Sequence, residues 1–143
     1  MLVWRVHQLG EPIDVLQLDV VDDPSPGPGQ LLIDVAACGL NFPDVLLCQG
    51  RYQVKPPFPF TPGQEVAGRI AAIGEGVEGW SVGQRVVAMT NAGLAQRAVV
   101  AAATTFAVPD TLDDVAGAGI PITYGTGYFG LVSRAQLLSL IHI

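Results

Sequence analysis

The stretch from Thr61 to Ile73 restricts the fold more than any other part of the chain. A Pro62-Gly63 turn feeds directly into Val66-Ala67-Gly68-Arg69-Ile70-Ala71-Ala72-Ile73, an apolar run of the length and turn context of a covered strand. Gln64 and Glu65 are thus two polar side chains delivered to the start of a buried element. Similar runs recur at Leu2 to Val6, Val15 to Val21, Gln30 to Gly39, Gln84 to Met89 and Gln96 to Ala102. Turns at Gly10-Glu11-Pro12, at Gly74 to Gly79 and at Asn91 to Gly93 separate several of them. Short strands at this spacing predict a mainly β fold, barrel or sandwich.

The proline-rich segment Asp22 to Gly29 cannot continue a strand interior, because proline removes a ladder donor and fixes φ. Beyond it, Leu31, Ile33, Val35 and Ala37 alternate over Leu32, Asp34 and Ala36, the period of a strand. Asn41 then stands before Phe42-Pro43-Asp44-Val45-Leu46-Leu47-Cys48, with Pro43 in the first turn and Gly50 beyond the end, which predicts a short helix capped by Asn41. A second helix is expected to be capped by Thr111, and a third to run from Pro121 to Gln136. The fold class is therefore α+β: mainly β with short helices.

Composition excludes several functions. The net charge is −6, and the seven basic residues, Arg5, Arg51, Lys55, Arg69, Arg85, Arg97 and Arg134, are scattered, so no nucleic-acid footprint is present. Cys38 and Cys48 are too few for a disulfide scaffold, and the N-terminus shows no basic segment followed by an apolar signal core, so a cytoplasmic setting is expected. The uncharged run from Val115 to Val132 carries five glycines and Pro121, which suits a docking surface and not a membrane span.

Two glycine patterns invite a dinucleotide reading. Gly74-Glu75-Gly76-Val77-Glu78-Gly79 follows a strand but leads into another strand, so no helix N-terminus is offered to a pyrophosphate. Gly125-Thr126-Gly127-Tyr128-Phe129-Gly130 lacks a following strand with an acidic residue about 20 residues on. Both are read as structural.

Four segments carry a family resemblance: Cys38-Gly39-Leu40-Asn41-Phe42-Pro43-Asp44, Pro62-Gly63-Gln64-Glu65-Val66-Ala67-Gly68, Gly83-Gln84-Arg85-Val86 and Pro121-Ile122-Thr123-Tyr124-Gly125-Thr126. In this order and spacing, the chain resembles the GroES-like catalytic domain of the zinc-free quinone oxidoreductase branch of the medium-chain dehydrogenase/reductase superfamily. The resemblance implies a GroES-like partial β-barrel over residues 1–137. In zinc-dependent relatives a cysteine stands where Asn41 falls and a histidine where Gln64 falls, and neither residue here is a good zinc ligand. The resemblance thus implies no metal. Without a Lewis acid an already activated acceptor suits the site better than an alcohol, because a quinone or conjugated enone spreads incoming charge itself.

The resemblance further implies NADPH as hydride donor, catalytic roles for Asn41 and Tyr52, and cofactor contacts from Asn41 and Thr126. It also implies a homodimer for the full-length protein. An enoyl-CoA-type reductase and a non-catalytic GroES-like binding module remain the alternatives. Each residue also has a plainer reading. Asn41 serves as a helix cap alone, Tyr52 as a packing aromatic, Thr126 as an ordinary helix residue, and Glu65 and Asp44 as inherited carboxylates holding backbone or arginine groups. His7 reads as an edge histidine, and both cysteines as buried small apolar residues. Family members continue into a doubly wound cofactor domain that is expected to be missing here. Residues 138–143 are expected to be an artefactual tail in which His142 carries no function.

Overall fold

The computed structural model describes residues 1–137; the expectation for 138–143 lies outside them. Strands β1 (Leu2–Val6) and β2 (Leu16–Val20) form an antiparallel pair, with the short helix α1 (Pro12–Val15) between them. Strand β3 (Gln30–Gly39) leads to helix α2 (Phe42–Cys48). Strands β4 (Glu65–Ile73), β5 (Arg85–Met89), β6 (Arg97–Ala101) and β7 (Thr105–Ala107) follow, then helix α3 (Asp114–Ala118). The larger sheet is wholly antiparallel, in the order β6-β3-β4-β5-β7. β1 is stitched across the open side through Trp4 N–H to the Leu94 carbonyl (2.8 Å) and Val6 N–H to the Phe60 carbonyl (2.8 Å). The result is the partial barrel expected.

Leu31, Ile33, Val66, Ile70, Val86, Ala88, Ala98 and Val100 form the core between the strands. Their burial stabilises this part at roughly 25 cal/mol per Å² of apolar surface removed from water. A smaller cluster of Val6, Val15, Cys48 and Phe60 locks α1 and α2 under the β1–β2 pair. β3 bulges against β4 between Leu32 and Ile33 and again between Val35 and Ala37. Leu32 is accordingly buried along with Leu31 and Ile33, and strict alternation fails there.

The structure corrects three boundaries. The turn at residues 10–12 continues into α1, with Pro12 in its first turn, where its missing N–H costs nothing. Asp113, not Thr111, caps α3: its carboxylate accepts the Ala116 N–H at 2.7 Å. Thr111 lies in the turn closed by Leu112 N–H to the Pro109 carbonyl. β7 is only three residues long, too short to show a period, and was not expected.

The last described segment is a helical rod over residues 120–134. Its first part, Ile120–Tyr124, and its last, Phe129–Arg134, are wound with wide turns, as in Tyr124 N–H to the Gly119 carbonyl and Ala135 N–H to the Gly130 carbonyl; α4 (Gly125–Tyr128) joins them. Wide turns of this kind cluster at functional segments. No helix among the described residues is long and apolar enough to cross a membrane.

Candidate active site

The site begins with a hydrogen-bonded frame around Asp44 and Glu65. Asp44 is buried, and its carboxylate accepts the Asn41 N–H and the Gly63 N–H, both at 2.8 Å. This ties the start of α2 to the Pro62-Gly63 turn. Gly63 has φ +99°, and a Cβ there would lie 2.7 Å from Cys38 Sγ and 2.8 Å from the Leu94 nitrogen. Only glycine fits this backbone. Gln64 is held from the other side, since its carbonyl accepts the Thr90 N–H at 2.9 Å.

Glu65 is fully buried at the first position of β4. Its Oε1 accepts Asn41 Nδ2–H at 2.8 Å and lies 3.1 Å from the Thr123 hydroxyl, while Oε2 accepts the Ile122 N–H at 2.7 Å. A buried carboxylate is tolerated because several donors surround it. The Thr123 hydroxyl also reaches Asn41 Oδ1 at 3.1 Å. Since a carboxylate only accepts, the contact at Glu65 orients the Asn41 amide, with Nδ2 toward Glu65 and Oδ1 toward Thr123. One Asn41 amide proton stays unused. Asn41 therefore occupies the cap position of α2 while its side chain reaches away from that helix. Glu65 holds a backbone N–H as expected, but its other partners are Asn41 and Thr123 and not arginine.

Two depressions open beside this frame. A cleft of about 380 Å³ is lined by Leu47, Tyr52, Val54, Pro56, Phe60, Thr61, Gly63, Gln64 and Asn91. A shallower groove of about 430 Å³ is lined by Gln64, Met89, Pro121, Ile122, Gly125, Thr126 and Phe129. Neither has a charged lining residue. Tyr52 thus belongs to the cleft and Thr126 to the groove, while Asn41 lies behind both, at the base of the rod and against a small pocket with Leu40, Val45 and Pro62. His7 lies elsewhere and contacts Asp19 at 2.9 Å.

Metal and cofactor chemistry can be tested against these donors. Among the described residues, no group of three His, Cys, Asp or Glu side chains converges as a metal site needs. Burial, with the Asp44 and Glu65 charges adding to it, pushes the Cys38 thiol up to about 12. Burial also raises Cys48. Without a metal beside them, both thiols keep their protons at neutral pH. These residues do not fit catalytic zinc. The groove fits an uncharged ring beside the Thr126 hydroxyl, but with no Lys or Arg lining it it does not fit phosphates.

Sequence reasoning missed Thr123 and the Ile122 N–H as partners of Glu65. The available signal was a threonine in the first turn of a helix opened by Pro121, where N–H groups lack helical acceptors.

Known proteins resemble this chain in sequence and in fold. The family model for the alcohol dehydrogenase GroES-like domain matches residues 27–132. The chain is 40% identical over 139 residues to quinone oxidoreductase of Rattus norvegicus, covering 95% of this chain and 42% of the rat protein. It is 35% identical over 133 residues to a quinone oxidoreductase-like protein 2 homolog of Nematostella vectensis, covering 92% and 36%. The chain thus spans well under half the length of these relatives. A mycobacterial structure solved in complex with NADPH superposes with a TM-score of 0.87 at 32% identity, covering 97% of this chain and 43% of that one. CurK enoyl reductase superposes with a TM-score of 0.86 at 29% identity, covering 95% and 43%. The barrel, the Pro62-to-Gly68 turn and these likenesses together establish that the chain belongs to the alcohol dehydrogenase GroES-like domain family, on the quinone oxidoreductase side of the medium-chain dehydrogenase/reductase superfamily.

Proposed function

We propose that this chain is the acceptor-holding part of an oxidoreductase that reduces an uncharged quinone or conjugated enone with NADPH and without zinc. The observation that carries the reading is the pair of depressions meeting at Gln64, one presenting Tyr52 and the other Thr126, with no charged lining residue in either. Apolar walls with a few polar handles suit a flat neutral ring. NADPH, when bound, supplies a hydride, and the acceptor takes it with one proton from solvent to give the hydroquinone or saturated ketone and NADP⁺.

The remaining work falls to this chain's own side chains. Tyr52 donates a hydrogen bond to the acceptor oxygen as charge collects there. Thr126 presents its hydroxyl to the nicotinamide end from the rod. Asn41 lines neither depression; held between Glu65 and Thr123, it fixes the base of the rod that carries Thr126. Leu47 and Phe60 keep water from the acceptor. Cofactor phosphates are bound outside the described residues. Homodimer formation by the full-length protein and a cytoplasmic setting belong to the same proposal and rest on the family likeness.

The likeness to CurK enoyl reductase supports a second reading, reduction of a thioester-linked enone. Assay of the full-length protein with NADPH and menadione, a simple cyclic enone or crotonyl-CoA separates the readings. Turnover of menadione or the free enone, unchanged after exhaustive chelation, is expected. Turnover confined to crotonyl-CoA would favour the second reading. Loss of activity on chelation with rescue by zinc would sink the metal-free mechanism, and failure to oxidise NADPH with any acceptor would favour a binding module.

A further inference from the structure

Among the described residues, Gln64 is the one side chain that lines both the Tyr52 cleft and the Thr126 groove. It also lines the neighbouring depression with Thr90, Asn91 and Ile122. Hydride transfer needs donor and acceptor carbons about 3–3.5 Å apart, so rings in the cleft and the groove must touch where the two depressions adjoin. Gln64 borders both there, beside the rings and not between them.

The side chain is also chemically free. Its neighbours are engaged: Glu65 accepts from the Asn41 amide and the Ile122 N–H, and the one Thr123 hydroxyl proton is shared between Glu65 and Asn41. The Gln64 carboxamide makes no hydrogen bond to any described residue, although its backbone is pinned on both sides by Gly63 N–H to Asp44 and Thr90 N–H to the Gln64 carbonyl. A half-buried amide with a fixed base and idle donors is preorganised to meet a ligand.

We propose that Gln64 donates a hydrogen bond to the carbonyl oxygen of the acceptor at the junction of cleft and groove, and so selects carbonyl-bearing rings over plain apolar ones. The inference rests on reading the cleft as an acceptor site. The hydrogen bond strengthens as the oxygen gains negative charge, so Gln64 acts on turnover as well as on binding. An amide does this without adding charge to an uncharged cleft.

The test uses the full-length protein and two probes of similar shape, menadione and the carbonyl-free 2-methylnaphthalene. Binding is followed by quenching of intrinsic fluorescence, and turnover by loss of NADPH. The wild type is expected to bind menadione about tenfold more tightly than the hydrocarbon. Gln64→Leu should abolish that preference and lower kcat with menadione. Gln64→Glu keeps the side-chain length but replaces the donor by an acceptor, and should lose menadione affinity at neutral pH. An unchanged melting temperature shows that a variant is folded. If Gln64→Leu keeps the menadione preference while the wild type turns menadione over, the Gln64 role is overturned and the acceptor-site reading stands. If the wild type neither prefers nor reduces menadione, both fall together.

Discussion

Leu31, Ile33, Val66, Ile70 and Val86 of the barrel are sealed from solvent, whereas Tyr124, Tyr128, Phe129 and Leu131 of the rod are each more than half exposed. The two regions are similarly apolar, so composition alone does not say where the core lies. These barrel residues lie on strands that pair on both edges, and their apolar side chains meet one another. The first turns of the rod lie against β4, β5 and α3, and a polar frame, Glu65 with Asn41, Ile122 and Thr123, ties its base to the barrel. Its exposed apolar face has the character of a docking surface. The barrel thus holds itself together, while the rod is seated at its base by the Glu65 frame and by its first turns against β4, β5 and α3.

That contrast can be broken most forcefully at Glu65. Glu65→Ala leaves the Ile122 N–H and the Asn41 amide without their acceptor, and should lower stability by about 3 kcal/mol, read by urea unfolding. Hydrogen exchange should rise sharply at residues 120–126 in the variant. Uniform loosening of the barrel with an unchanged rod would refute the tether.

Gly63→Ala tests the barrel side of the frame. It forces a side chain into φ +99° against Cys38 Sγ, and should cost about 2 kcal/mol. The loss should appear in urea midpoints of the chain without changing the slope.

Cys38 sharpens the comparison through pH. An ordinary thiol titrates near 9.0, and Cys38 is pushed up to about 12. Below pH 9 both the folded and unfolded thiol keep their proton, so Cys38 adds no pH dependence. Above it, up to about 12, the unfolded chain alone releases the proton, and stability falls as pH rises. Cys38→Ala should therefore show a shallower alkaline loss of stability than the wild type. Identical alkaline slopes would mean that the thiol is not buried as described.

The smallest effect belongs to the rod. Tyr128→Ser should change the stability of this chain by no more than about 0.5 kcal/mol, because Tyr128 is 68% exposed. It should nevertheless reduce binding of a hydrophobic dye by the chain. A large thermal shift would show that the rod packs against the barrel.

Much of the barrel was legible in the sequence. Gln30 to Gly39 and Phe42 to Cys48 matched their elements to the residue, because alternation, Pro43 and Gly50 all act locally. Asn41 was legible as a cap position, but not as the partner of Glu65 and Thr123, which lie 24 and 82 residues away. Such contacts depend on how β3, β4 and the rod meet in space, and no local pattern encodes that. Tyr52 and Thr126 were legible only through family likeness. Gln64 was visible as a polar residue entering a strand, but its place between two depressions emerged from the fold alone. Asp113 took the cap expected of Thr111 because it directly precedes α3, and caps are decided by adjacency.

In the proposed site, barrel and rod meet at Gln64. Hydrogen exchange of the full-length protein, with and without NADPH and menadione, tests this most directly. Joint protection of residues 52–64 and 120–126 in the ternary complex is predicted. Protection of one segment without the other, or of neither, would contradict it.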